Sequence, residues 1–196
     1  MPFLSISLIL FLIMDPIGNV GSYLSMVENI PVARQRWVAC REMLIALAAM
    51  VLFFFVGETI FEQLSLSEAS LHLSAGLILF LVAIKILFLS PTSLRANLPK
   101  EEPFIIPLAI PLIAGPALLA AIMLYTHIIE DSSLMLAAIC TAWIAASSVL
   151  FFAARIKSLL GSSGLTACER LIGMLLIILG VQRFLIGVEH FSKQYF

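Results

Sequence analysis

Six apolar runs dominate the chain, at about 3–27, 38–60, 69–90, 104–126, 134–154 and 169–189. Each is close to the ~20 residues a helix needs to cross ~30 Å of hydrocarbon. The links between them are short: Glu28 to Trp37, Phe61 to Glu68, Pro91 to Pro103, His127 to Ser133 and Arg155 to Cys168. None has room for a second domain. The pattern predicts an all-α integral membrane protein, a single transmembrane domain over residues 1–196 with six transmembrane helices.

Two runs carry interruptions that a lipid-facing helix does not accept. The first contains Met14-Asp15-Pro16-Ile17-Gly18-Asn19. Pro16 has no N–H and cannot continue a helix without a break. Gly18 weakens the helix further, and an ionised Asp costs a few kcal/mol at a bilayer centre. The fourth run contains Pro107-Leu108-Ala109-Ile110-Pro111-Leu112-Ile113-Ala114-Gly115-Pro116. Asp is a good N-cap and Pro is favoured at the first helical position. Asp15-Pro16 therefore reads as the start of a half-helix, Pro16 to about Val27. Gly115-Pro116 starts another, Pro116 to about Tyr125, with Pro111 loosening the backbone before it. Free N–H groups and a partial positive charge collect at such N-termini.

Six spans divide into halves of three, about 1–95 and 100–196. An odd number of spans per half makes the halves insert in opposite senses. Each half opens with an interrupted span. The third span reads Gly76 to Lys85 and the sixth Gly173 to Gln182, in both cases Gly followed nine residues later by a long polar side chain. Asp15 lies 61 residues before Gly76, and Gly115 lies 58 before Gly173. The expectation is an inverted 3+3 repeat with helices 1 and 4 broken at Asp-Pro and Gly-Pro. In that design the site lies at the midplane, where the breaks meet.

Composition agrees with a membrane solvent: 62% of residues are hydrophobic and 12% charged, against ~45–50% and ~25% in soluble domains. The mean hydropathy is +1.12. The first run has no Lys or Arg before Arg34 and no clear small-residue cleavage site, so it is expected to remain as a span. Lys and Arg set orientation. Arg34, Arg36, Arg41, Lys85, Arg95, Lys100, Arg155, Lys157 and Arg170 fall on one side, and Arg183 and Lys193 on the other, a bias of nine to two. Glu58, Glu62, Glu68, Glu130 and Asp131 populate the second side, and the first three read as a solvated outer loop. Both termini are thus expected away from the cytoplasm.

Candidate chemistry is sparse. Asp15 reads as a group that binds a proton, a sodium ion or a cationic solute, or as a buried N-cap holding the kink. Asn19, one turn on, lines the same point or bonds a neighbouring helix. Gly18, Gly115 and Pro116 shape the backbone there. Lys85 either snorkels to the interface or faces the interior. Gln182 and Arg183 lie near the outer end of the sixth span. Arg183 either snorkels or turns inward to pair with Asp15 or bind an anion. Gly173, Gly180 and Gly187, and Ala138, Ala142 and Ala146, form close-packing stripes, which also permit a homo-oligomer. His72, His127 and His190 read as interfacial. Cys40, Cys140 and Cys168 lack metal spacing and read as packing residues. No cofactor or metal motif is present, and no basic tract for nucleic acid.

An intramembrane aspartyl protease needs two carboxylates sharing a proton, and Asp15 is the central one here. No HExxH run occurs, and no ring of charges marks a channel. An enzyme is not expected. A secondary transporter or exporter of a small polar solute is the favoured expectation. A non-transporting membrane scaffold or sensor is the alternative.

Asp15-Pro16-Ile17-Gly18-Asn19, the Pro107–Pro116 stretch and the Gly-rich sixth span from Ile172-Gly173 to Gly187 together resemble the MarC family of bacterial inner-membrane proteins. The resemblance covers nearly the whole chain. It implies six spans, a bacterial inner-membrane location and a transporter-like fold distantly akin to the LysE-type exporters, with no substrate attached; in that membrane the Lys and Arg bias places both termini in the periplasm. This chain has Val20-Gly21 where the family often has Pro, and Gly115-Pro116-Ala117 where it has Gly-Pro-Gly.

Overall fold

The computed structural model describes residues 3–27, 30–63, 67–88, 113–129 and 131–195. Among them every regular element is a helix: α1 Phe3–Met14, α2 Pro16–Val27, α3 Val32–Gln63, α4 Glu68–Phe88, α5 Pro116–Ile128, α6 Ser132–Phe151 and α7 Ala153–Tyr195. Five stretches are long and apolar enough to cross a membrane: Phe3–Val27, Trp37–Gly57, Glu68–Phe88, Ser132–Phe151 and Ala153–Lys193. Pro116–His127 is a shorter apolar helix. The fourth predicted span, 104–126, is described from residue 113 onward, so Pro107 and Pro111 lie outside the described residues.

Two predicted links are helical. Helix α3 begins at Val32, inside the expected Glu28–Trp37 link, and runs for 32 residues. At 1.5 Å per residue that is about 48 Å, longer than the hydrocarbon core, so its first turns project beyond it. Exposed Trp37 sits there with the Arg41 guanidinium 5.0 Å from its ring centroid, an arrangement suited to the membrane interface. The expected Arg155–Cys168 link is also helical within α7, apart from Gly161 at φ 64° and ψ 179°. Exposed Arg155, Lys157, Ser158, Ser162 and Ser163 made it read as a loop. At Gly161 the backbone leaves helical geometry, so one helix ends there and a second begins within the polar stretch.

Helices α4 and α7 form the most extensive contact in the fold. Glycine makes it possible. A Cβ on Gly180 would sit 2.9 Å from the Phe80 N and 3.0 Å from the Gly76 O. One on Gly187 would sit 2.8 Å from the Leu73 N, and one on Gly76 2.7 Å from the Gly180 O. These neighbours are backbone atoms, so the two helix axes approach as closely as their main chains allow. The stripe predicted on the sixth span is this seam.

The larger apolar core joins α1, α2, α3, α5 and α6. Ala138, Ala142 and Ala146 are buried in it along one face of α6. The Trp143 indole N–H crosses to α3 and donates to the Met43 carbonyl at 2.7 Å. Outward faces carry Leu4, Leu8, Leu52, Phe55, Leu81 and Ile178, all exposed. Large apolar side chains pointing out of a bundle fit a lipid surround. The protein is a multi-pass membrane protein.

Asp131, outside the spans, caps α6. Its Oδ1 accepts from the Ser133 hydroxyl at 2.6 Å, the Ser133 N–H at 3.0 Å and the Leu134 N–H at 3.2 Å. These bonds, the Ser133 hydroxyl foremost, hold its carboxyl below the ordinary carboxylate range.

Two outcomes follow from these contacts. Gly180→Ala should lower stability in detergent by roughly 1–3 kcal/mol, the usual cost of overpacking. Gly57→Ala should cost less, because the nearest obstacle is the flexible Met123 side chain at 2.9 Å. Thermal melts of both variants check this. Asp131→Ala should lower the melting midpoint near neutral pH. A depressed folded-state pKa contributes stability above the unfolded pKa and loses it as pH falls through the folded one. The gap between wild type and variant should therefore close on acidification below the carboxylate range.

Candidate functional site

The junction between α1 and α2 is a single residue, Asp15, at φ 42°. Positive φ is uncommon for a non-glycine residue, and Asp and Asn tolerate it best. The Asp15 N–H closes α1 by donating to the Leu12 carbonyl at 3.1 Å. Its own carbonyl accepts the Asn19 N–H at 3.1 Å and so begins α2. Its carboxylate Oδ1 accepts the Gly18 N–H at 3.1 Å, the bond an N-cap side chain makes to the third helical residue. Pro16, buried, fills the first helical position, where a missing N–H costs nothing. The Asn19 amide turns back and donates to the Met14 carbonyl at 3.0 Å. Both loose ends of the backbone are thereby satisfied by side chains of the same five-residue stretch.

Gly18 has a steric reason. A Cβ there would lie against the Asp15 carboxylate, with Asp15 Cγ 2.7 Å away. The carboxylate therefore occupies the space that any other residue at 18 would claim.

The first turn of α5 is built differently. Gly115 precedes it at φ −74° and ψ 164° and offers no side-chain cap. Its carbonyl accepts the Leu119 N–H at 3.1 Å, and Pro116 follows in the first turn, exposed. Ile17 of α2 and Ala117 of α5 belong to one apolar cluster with Leu12, Ile13, Leu79, Ala83, Ile172 and Leu176. The structure thus brings Asp15, Pro16, Gly18 and Asn19 into one local unit, and brings the starts of α2 and α5 into one cluster.

The other candidates part company. Gln182 is exposed. Its neighbour Arg183 is 7% exposed, because a 100° step along α7 turns it onto the side of Gly180 and α4. Arg183 neither snorkels nor pairs with Asp15. Its guanidinium donates to the Tyr125 hydroxyl on α5 and lies 4.7 Å from that ring's centroid. Residue 85 falls in the last turn of α4, and its side chain lies outside the described residues.

Two features escaped the sequence reading. Glu42 on α3 is fully buried. Its Oε1 accepts from Arg41 at 2.8 and 2.6 Å, and its Oε2 has no partner. The signal was a carboxylate beside Arg41, just inside an apolar run. The second is a polar cluster at one end of the bundle. Glu68 of α4 lies 3.8 Å from His127 Nε2 on α5 and 3.3 Å from His190 Nδ1 on α7. His72, one turn inside Glu68, has its ring 5.5 Å from that of His190. His72 is buried rather than interfacial, 3% exposed. Each of these residues lies near the same end of its span, so the topology gathers them although no short motif does. Among the described residues no three His, Cys, Asp or Glu side chains come together in a metal-holding group.

A profile described as MarC family integral membrane protein matches residues 2–191. The chain belongs to the MarC family. This MarC chain is 41% identical over 192 residues to the inner membrane protein YhgN of Escherichia coli (strain K12), covering 97% of this chain and 98% of that one. It is 40% identical over 191 residues to a membrane protein of Buchnera aphidicola subsp. Schizaphis graminum, 97% of each chain. A membrane protein of Chlamydia pneumoniae is 31% identical over 188 residues, covering 95% of this chain and 93% of that one. No solved structure matches.

The local unit makes a sharp prediction. Gly18→Ala should destabilise the MarC chain by pushing the Asp15 carboxylate off its cap, worth ~1 kcal/mol. In an Asp15→Gly background the same change should be neutral, or stabilising by up to about 1 kcal/mol from helix propensity. Thermal melts of the four-member cycle test the coupling.

Proposed function

We propose that this protein is a secondary transporter of a small polar solute across the bacterial inner membrane, with its site at the starts of α2 and α5. Asp15 is the group that binds the coupling ion or a cationic part of the solute. The observation that carries this reading is the Asp15 junction: an acidic side chain at a helix break inside an apolar span, next to the start of a second half-helix. An ionisable residue at membrane depth is expensive and points to a solute or ion path. Relatives named as inner membrane proteins support the location. The bias of Lys and Arg supports termini on the periplasmic side.

The packing supports an inverted repeat. Take α1–α2 as span one, α3 as two, α4 as three, and α5, α6, α7 as four to six. Span one packs on five, and span four packs on two. Span one packs on six, and span four on three. Spans three and six pack on each other, as do two and five. Exchanging the halves leaves these contacts between halves unchanged, as an inverted repeat requires, while the minor contacts of span four with five and of five with six lack an equally extensive counterpart in the first half.

A second reading has an observation of its own. The Asp15 carboxylate already serves as an N-cap, and a scaffold protein needs no more from it. Asp15→Asn separates the two. Asn caps as well as Asp, to within a few tenths of a kcal/mol, and tolerates the same positive φ. The variant therefore removes charge and keeps the fold. In reconstituted vesicles screened with amino acids, polyamines, sugars and organic acids, wild type should move one class. Asp15→Asn should abolish that flux with its melting midpoint little changed. Flux that survives the substitution, or no flux for any class, contradicts the transport reading and favours the scaffold.

A further inference from the structure

We infer that Arg183, Tyr125 and His72 form a binding site for a small oxyanion, a carboxylate or a phosphate, separate from the Asp15 junction. Four ion pairs form among the described residues, and Arg183 is in none of them. Yet it is 93% buried, its guanidinium set against the Tyr125 hydroxyl and ring. A guanidinium carries five N–H donors in a planar fork that matches an oxyanion. A buried cation without a counter-charge is costly, and breaking such a pair leaves several kcal/mol uncompensated. The second observation is His72. It lies one turn before Gly76 on α4, where a Cβ would sit 2.7 Å from the Gly180 O and 2.9 Å from the Phe184 Cα on either side of Arg183; it is 3% exposed, and its Nδ1 is buried with no hydrogen-bond partner. Buried polar atoms normally find partners. A cation and an unsatisfied imidazole nitrogen on two helices, with a tyrosine hydroxyl on a third, are the donor set an oxyanion needs.

The site has a cover. Glu68, His127 and His190 form a half-exposed layer at the end of α4, α5 and α7. The two histidines hold the Glu68 carboxylate in that layer. An anion entering from this end passes between them. Arg183 lies seven residues beyond Leu176, which shares a cluster with Ile17. That is about two helical turns along α7, so the two sites are distinct levels of one bundle.

The test uses the full chain, delipidated in a non-ionic detergent, with thermal unfolding as readout. Probes are sodium succinate, sodium phosphate and short-chain phosphatidylglycerol, each against sodium chloride at equal ionic strength. The midpoint should rise with at least one oxyanion and not with chloride. A rise with succinate or phosphate identifies a soluble ion, and a rise with phosphatidylglycerol alone identifies a lipid phosphate. Arg183→Gln should weaken that binding about tenfold or more, the loss of a charge-assisted bond. His72→Phe keeps the packing and should weaken it several-fold, which decides the matter if Arg183→Gln does not fold. No rise over chloride with any probe, or an equal rise in the variants, overturns the site. The assay needs no solute flux, so its failure and the failure of the transport reading are distinguishable.

Discussion

A backbone N–H or C=O facing lipid has no water to bond, so a break in a membrane helix must find partners within the protein or line a wet cavity. The junction at Asp15 meets that demand within five residues. Asp15 caps the start of α2, Asn19 caps the end of α1, Pro16 has no N–H to lose, and Gly18 leaves room for the carboxylate. Each residue type is dictated by its neighbour. A side chain at 18 would displace the carboxylate, and most residues at 15 would not accept φ 42°. The motif is therefore one structural device. Its bonds run between neighbours in sequence, so the local backbone places them.

That locality matters for what surrounds it. The second half-helix start, at Gly115-Pro116, has no side-chain cap. Ile17, two residues after the carboxylate of the first break, packs in the same apolar cluster as Ala117. One end thus brings charge, and the other brings free backbone donors with the positive end of a helix dipole. Around both, the halves of the chain pack mainly on each other, while contacts within a half are minor. The glycine seam between α4 and α7 is the closest of these contacts. Alongside the glycines, Leu79 and Ala83 of α4 and Ile172 and Leu176 of α7 fill this seam with apolar side chains.

Much of this was legible in the chain. Apolar run lengths gave the spans, because hydrocarbon thickness fixes them. Asp15-Pro16 announced a break because capping and proline geometry are local properties. The glycine and alanine spacings announced packing faces for the same reason. What was lost depended on three dimensions. Arg183 could snorkel or turn inward, and its partner Tyr125 is 58 residues away. Three histidines and Glu68 share no spacing and meet because three helix ends do. Polar residues 155–168 read as a loop, but the break in them is confined to Gly161, with helix on both sides. Glu42 was passed over beside its arginine, because exposure of one member of a pair hides burial of the other.

The central claim is that the Asp15 junction faces an aqueous path from both sides of the membrane in turn. Ser22, half-buried on α2 about one turn beyond Gly18, is the position to probe. With Cys40, Cys140 and Cys168 replaced by Ser, Ser22→Cys supplies a single thiol. Reactivity towards a membrane-impermeant maleimide is then measured in right-side-out and in inside-out vesicles. Alternating access predicts labelling in both. Labelling from one side alone, or from neither, contradicts it.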